Sequence, residues 1–357
     1  MINWNQFTVT NGAITDLKEL LFTAAFKDPD LDLFFTNKTG LQQGQRLGYV
    51  DSIGDVGIAG AGCDPEYSDV DVKGIEKEWR LDEWEIAKHL CYKDLENTIA
   101  ESSMKTGTEI AELEGTPYWD QVLMPLLKKA IVEMYWRIVW FSDKNAASVS
   151  DGGKITDGVN IKLLKVCDGF FKRLGAIIAA NPSQRTTITA NDASVYDTTA
   201  KQMAAMKANG YAIGVMDDLL YNADSRIFDN PNASVVMTNS FFKALRKDVI
   251  NKYGEKTMPF EYVSAGITLS EYDGRKLIAI DVWDRMIRKY ENNGTTLNNP
   301  HRAIVYAPNN LFVGTNATDK ISSLSVTFND ETRYNNIYAA GKIGTLIGED
   351  ELIQYAI

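Results

Sequence analysis

The stretch Pro117 to Asp143, PYWDQVLMPLLKKAIVEMYWRIVWFSD, constrains this chain more than any other. Trp119, Val122, Leu123, Leu126, Leu127, Ala130, Ile131, Met134, Ile138 and Val139 recur through it at helical spacing. Such an i, i+3, i+4, i+7 recurrence marks a helix with one stripe turned to a core. Lys128, Lys129, Glu133 and Arg137 fall on the other side. Thr116 suits the cap and Pro117 the first turn. Pro125 comes later and predicts either a kink or a delayed start. A helix over the whole stretch would run roughly 40 Å, longer than most in an ordinary domain. Burial of each large apolar side chain is worth about 1.5–3 kcal/mol, which makes this the strongest single core element. A long core helix by itself fits any large α/β or α+β protein.

Composition narrows the classes. A chain of 357 residues with 45% hydrophobic content has room for two or three domains with real cores. No apolar run reaches the roughly 18 residues of a membrane helix, and Ile131 to Phe141 is interrupted by Glu133 and Arg137. The opening MINWNQF lacks the charged and apolar regions of a secretory signal. Cys63, Cys91 and Cys167 form no CxxC pair and no metal spacing. With only His89 and His301, a multi-histidine metal site is excluded. The net charge of −11 argues against a direct grip on nucleic acid, though not against enclosing it. Sixteen Tyr and seven Trp suit either large cores or aromatic contact surfaces between subunits.

Read in order, residues 1–15 have no core pattern and form an extended arm. Asp16 to Phe26 reads as a short amphipathic helix capped by Thr15. Residues 28–71 are glycine-rich, with alternating pieces at Leu47–Tyr49–Asp51 and Val56–Ile58, and a second strand at Val70 to Trp79. Together they predict a long twisted hairpin, which has little core of its own and needs a neighbour to lie on. Residues 80–101 read as strand or short helix, and 102–116 as a polar connector. After a linker at 144–160, Ile161 to Ala180 is a second apolar segment. Asn191 to Asn209 reads as a helix closed by Gly210. A strand at 233–237, a helix at 239–250 and short strands at 260–263, 276–280 and 303–306 follow. Ser322 to Ile357 alternates as a sheet-forming tail. No repeat of 20–50 residues and no heptad pattern is present.

Three stretches invite a chemical reading. GIAGAG (Gly57 to Gly62) has the wrong spacing for a phosphate loop and is followed by acidic CDPEYSD. His89 and Cys91 share a strand face, but no orienting carboxylate or oxyanion hole marks them as a nucleophilic pair. Asp217, Asp218 and Asp224 invite a metal or glycosidase reading, yet the adjacent pair points in different directions and the calcium-loop pattern is missing. A solvated helix start explains them better. No residue is assigned as catalytic, cofactor-binding or metal-ligating, and no cofactor is called for.

The order of segments resembles the major capsid protein of tailed phages, the Hong Kong ninety-seven fold. WRIVWFSD (Trp136 to Asp143) resembles the end of that family's spine helix. CDGFFKRLGAIIA (Cys167 to Ala180) resembles the small helix after it, and SVVMTNSFFKALRK (Ser234 to Lys247) the strand and helix of the axial domain. NPHRAIVYAPNNLFVGTN (Asn299 to Asn316) is similar to the strand and turn near that domain's end. The likeness is one of order and texture over nearly the whole chain. A scaffolding segment for a protease and a Lys/Asn/Glu crosslinking set are not legible.

The resemblance implies an α+β fold divided as follows: an arm and short helix (1–37), an E-loop hairpin (38–80), a peripheral domain with its spine helix (81–189), a mixed α/β axial domain (190–320) and returning strands (321–357). It implies a non-enzymatic major capsid protein of a tailed phage or prophage. Self-assembly would give hexamers and pentamers of an icosahedral shell, with portal and scaffolding proteins as partners. The shell would enclose double-stranded DNA without sequence-specific binding and without a membrane. Synthesis would take place in the host bacterial cytoplasm and the final location would be the virion. The expected inter-subunit contacts are Trp4 and Phe7 of the arm and Leu47, Tyr49, Ile58, Tyr67 and Trp79 of the hairpin. An encapsulin-like nanocompartment shell is the nearest alternative. A soluble acid/base hydrolase using Asp217, Asp218 or Asp224 is the alternative of another class.

Overall fold

A computed structural model gives the fold, and the structure describes residues 33–52, 73–91, 124–254, 258–264, 266–318, 325–329 and 334–357. Residues 1–32, 53–72 and 92–123 lie outside the described residues, and with them Trp4, Phe7, Ile58 and Tyr67.

The chain begins with β1 (Thr36–Lys38), β2 (Arg46–Ser52), β3 (Lys73–Glu78) and β4 (Asp82–Cys91). Next come α1 (Met124–Trp136), a π-helical turn at Arg137–Phe141, α2 (Phe170–Ala180) and β5 (Arg185–Thr186). Two helices, α3 (Thr199–Met206) and α4 (Tyr211–Tyr221), precede β6 (Ser234–Thr238) and α5 (Asn239–Tyr253). The strands β7 (Phe260–Ser264), β8 (Ile267–Tyr272) and β9 (Arg275–Ile280) then lead into α6 (Asp281–Tyr290). The chain closes with β10 (Ala303–Tyr306), β11 (Leu311–Thr315), β12 (Ser325–Asn329), β13 (Tyr334–Ile347) and β14 (Ile353–Ala356).

The central element is a seven-stranded sheet of order β5-β14-β10-β6-β9-β8-β7. Its middle strands are apolar on both faces, because each face meets its own core. Val236, Ile278, Ile304 and Tyr355 point into one core, shared with α2, α6 and the end of α1. Val235, Leu277, Val305 and Ala356, one residue along, point into the other, shared with α4 and α5. The parallel neighbours β6 and β9 pass directly into α5 and α6, with no loop between. Those two helices lie against opposite cores.

A second sheet is built on the 14-residue strand β13. β4 pairs along one edge of it from Asp82 to Cys91, while β12 and β11 follow each other along the other edge. β1 adds in parallel beyond β11. The tail therefore divides: β13 closes this sheet, and β14 enters the seven-stranded one between β5 and β10.

The long helix departs from the expected stripe. Its described part runs from Met124 to Trp136 and includes Pro125, while the residues before Met124 lie outside the described ones. Leu126 is 60% exposed and Ala130 is exposed too, although both are in the expected stripe, while Leu127 packs against the core. Burial starts at Ile131 and is carried by Tyr135, Trp136 and the whole run Ile138 to Phe141. The wider π turn falls on that run, in which four consecutive side chains are buried.

Other expectations also shift. The helix read over 191–209 is confined to α3, capped by the Thr198 side chain on the Lys201 N–H. Gly210 does not close it; at φ +77° it starts α4. β8 and α6 were not legible as separate elements. The end of the supposed arm is core: Phe34 and Phe35 are buried, Phe34 packs edge-on to Trp136 at 5.3 Å, and Tyr306 donates to the Phe34 carbonyl at 2.9 Å.

Candidate assembly surfaces

The hairpin β2–β3 forms a two-stranded sheet of its own, pairing Arg46 with Glu78 through Val50 with Gly74. Its ends are sewn together at the root. The Trp79 N–H donates to the Gln45 carbonyl (2.9 Å), and the Gly44 N–H to the Trp79 carbonyl (3.1 Å). Below that point Trp79, Leu41, Leu81, Phe312 and Leu346 make a small satellite core, with Leu47 packed against it. Above it, among the described residues, β2 and β3 pair mainly with each other. Arg46 pairs with Glu76 across the two strands at 2.8 Å with both side chains exposed, and Lys77 reaches Asp350 at 2.6 Å.

Two close approaches fix this root. A Cβ on Gly314 would lie 2.5 Å from both Leu41 and the Trp79 ring, and one on Gly341 would lie 2.8 Å from the Trp84 ring. Both indoles thus lie directly on strand backbone, where only glycine leaves room.

These positions redistribute the expected contact residues. Trp79 is 2% exposed, so its ring is spent inside its own chain as the anchor of the hairpin. Leu47 is half-buried beside it. Tyr49 lies in β2, opposite Ile75. Trp4, Phe7, Ile58 and Tyr67 belong to the segments outside the described residues. Sequence reasoning missed the exposed aromatics Tyr221, Tyr253, Tyr262 and Tyr338, because exposure of a tyrosine leaves no signature in a sequence.

The carboxylates of the hydrolase alternative do not converge. Asp217 accepts from the Tyr272 hydroxyl at 2.7 Å. Burial, helped by Asp217, raises that phenol well above its usual range. Asp224 caps Arg226 and pairs with its guanidinium at 2.9 Å, which holds its carboxyl low. Among the described residues no group of three His, Cys, Asp or Glu side chains could hold a metal ion. His89 stands on β4 opposite Asn336 and is exposed.

A serine, a histidine and an aspartate do meet, in a different order from a hydrolytic triad. The Ser240 hydroxyl lies 3.0 Å from His301 Nδ1. The Asp284 carboxylate, however, accepts the backbone N–H groups of Asn239 (2.6 Å) and Ser240 (3.0 Å), not the imidazole. A base relay needs the carboxylate on the histidine; here it fills the positive start of α5. Burial raises the Asp284 carboxyl to about 6 against those donors, and burial pulls the His301 imidazole down to about 4.

A buried ion pair lies nearby. Arg302 and Glu291 are 2% and 1% exposed in their side chains and bond directly, and Lys154 reaches the same carboxylate at 3.3 Å. Burial alone would raise the Glu291 carboxyl, but Arg302 and Lys154 overcome it and hold it low. The Arg302 guanidinium lies 4.5 Å from the centroid of the Phe171 ring, and its Nε and Nη2 donate to the carbonyls of Asn299 and Asn298. Fully satisfied and enclosed, this group is structural.

The sequence matches no protein-family model and no curated protein. Among solved structures the chain is similar to one in the satellite phage P4 procapsid that includes the size-determination (Sid) protein. The TM-score is 0.50 at 10% identity, covering 97% of this chain and 98% of that one. The fold is that of phage capsid proteins, the Hong Kong ninety-seven type. Chains from Mycobacterium phage Bobi (TM-score 0.48, 12% identity, 92% and 89% covered) and from the SrpI encapsulin complex of Synechococcus elongatus (0.48, 10%, 92% and 87%) are also similar.

Proposed function

We propose that this chain is a capsid shell protein, copies of which assemble into a closed container. The observation that carries the reading is the hairpin, which among the described residues is held to the rest of its chain by the Trp79 root and the Lys77–Asp350 ion pair, while β2 and β3 pack chiefly on each other. Paired strands without a core beneath them need a surface from elsewhere, and in a shell a neighbouring copy supplies it. The capsid-type fold supports the same conclusion.

In its finer form the reading is the head of a tailed phage or prophage: an icosahedral shell of hexamers and pentamers around double-stranded DNA, with portal and scaffolding proteins as partners. Residues 1–37 would be the arm and short helix, 38–80 the loop laid on a neighbour, 81–189 the peripheral part with the spine helix, 190–320 the axial part and 321–357 the returning strands. Trp4, Phe7, Leu47, Tyr49, Ile58 and Tyr67 remain the proposed contacts on the arm and hairpin. A net charge of −11 suits a wall along which packaged DNA slides.

Negative-stain microscopy of the purified chain tests this. Uniform shells, or rings of five or six, are expected. Packaged DNA inside them identifies a phage head, and an enzyme cargo a nanocompartment. A chain that stays monomeric at high concentration and turns over a substrate overturns the reading.

A further inference from the structure

Four large side chains reach into solvent at one end of the seven-stranded sheet: Tyr221 (86% exposed), Tyr262 (74%), Tyr253 (57%) and Phe260 (39%). β7 ends the strand order there and pairs only with β8 among the described residues. An outer strand with exposed aromatics is a surface that proteins normally cover or protect.

The charges that line the two grooves at this end differ in sign, although Lys252 lies beside Tyr253 near the acidic one. Lys243, Arg246 and Lys247 of α5 line a groove of about 300 Å³ together with Phe260 and Tyr262. The Arg246 guanidinium lies 4.2 Å from the centroid of the Phe260 ring, and its Nε is buried with no hydrogen-bond partner. Among the described residues no carboxylate pairs with any of these three cations. Toward α4 and the β8–β9 turn lies a larger groove of about 710 Å³, lined by Tyr221 and Tyr253 and by Asp217, Glu271 and Asp273. Among its described lining residues the one cation, Arg275, is stacked on Phe228 at 4.4 Å.

We propose that the two grooves meet between copies: the Lys243–Arg246–Lys247 face and Tyr262 of one copy seat in the Asp217–Glu271–Asp273 groove of the next. The inference rests on the self-assembly reading and names one surface for it. Two different patches in contact make a heterologous, head-to-tail interface, which repeats around a ring. Charge complementarity sets the register of such a contact, and the exposed tyrosines supply the area. A basic, aromatic face also suits nucleic acid. Three cations beside a carboxylate groove on a chain of charge −11 favour a second copy of this chain instead.

Charge reversal in the full chain tests the contact, with Asp217 left in place because it holds Tyr272. K243E/K247E and E271K/D273K should each cut the yield of rings or shells by about tenfold at low salt, and the four changes combined should restore it to within about threefold. The thermal midpoint of unassembled protein should stay unchanged in all three. Reversals that assemble like the parent overturn this contact and leave the shell reading standing. So does a combined variant that folds but does not recover. Loss of heparin retention with intact assembly also overturns it, in favour of nucleic acid. A parent chain that never assembles overturns both.

Discussion

Trp140 and Trp283 meet edge to face, with ring centroids 4.6 Å apart at 65°. The contact ties the π turn after α1 to the first turn of α6, and Phe171 of α2 packs on both rings, at 5.4 and 4.9 Å. Three elements far apart in the chain thus share one aromatic joint beneath the seven-stranded sheet. Its location sets what should follow from disturbing the molecule in other places.

Removing the hairpin should separate folding from assembly. Gln45 and Trp79 are already hydrogen-bonded neighbours, so a short Gly-Ser turn replacing residues 46–78 closes the gap without strain. Circular dichroism should show a folded chain whose urea midpoint moves by less than about 1 kcal/mol in stability. Microscopy should show no shells. A deletion that still forms shells removes the hairpin from the argument.

Gly314→Ala should be costly for a methyl group. The new Cβ would sit 2.5 Å from Leu41 and the Trp79 ring, and overpacking of this kind costs about 1–3 kcal/mol. Trp79→Leu in the same chain should recover part of the loss, because the ring is what the methyl meets. Urea titration of the two single variants and the double variant measures the coupling.

The ion pair under Phe171 should be intolerant of half-removal. Arg302→Met leaves Glu291 buried with only Lys154 for a partner, and Glu291→Gln leaves the guanidinium uncompensated. Loss of about 3–5 kcal/mol is expected for either, read as a fall in the denaturation midpoint of unassembled protein. Replacing both partners with apolar residues should cost less than either single change. A near-neutral single variant would show that water reaches the pair.

Two groups at the start of α5 should oppose each other as pH changes. His301 falls from 6.5 to about 4 on folding, so its contribution is complete above about 6.5 and is lost as pH falls toward 4. Asp284 rises from 3.8 to about 6, so folding takes up a proton there and stability grows as pH falls from 6 toward 4. Asp284→Asn should therefore make the acid loss steeper, and His301→Asn should make it shallower. Each group contributes about 3 kcal/mol across that range with opposite sign, so the two variants should diverge by about 6 kcal/mol. Parallel stability curves from pH 4 to 7 would refute the pairing.

The Cys167 thiol should be silent. Burial pushes it up to about 12, and it is 1% exposed against the Ile138 carbonyl. In a C63S/C91S chain, a thiol reagent at pH 8 should react only as fast as the protein opens. Rapid labelling under native conditions would place the residue at a surface.

What could be read in advance depended on periodicity and punctuation. The apolar run at 233–237 and the alternation of the tail marked β6, β12, β13 and β14 close to their observed bounds. The pattern over 117–143 marked the long helix, and its Ile131, Ile138 and Val139 are buried with Leu127 and Met134 packed beside them; Tyr135, Trp136, Trp140 and Phe141, which the stripe left out, are buried as well. α6 was hidden because its apolar positions are spaced by Asp281, Asp284, Arg285 and Arg288, and because β9 runs into it without a turn. The hairpin was legible from its glycines and short strands. Its root was not, because the seats of Trp79 and Trp84 are made by Gly314 and Gly341, more than two hundred residues away.

One mechanical result follows from the way β4 leaves the hairpin root. β4 runs from Asp82 antiparallel to β13 through ten register pairs. In the proposed shell, a neighbour that draws on the hairpin along β4 would shear all ten rungs together rather than unzip them one by one, and the load would pass straight into β13.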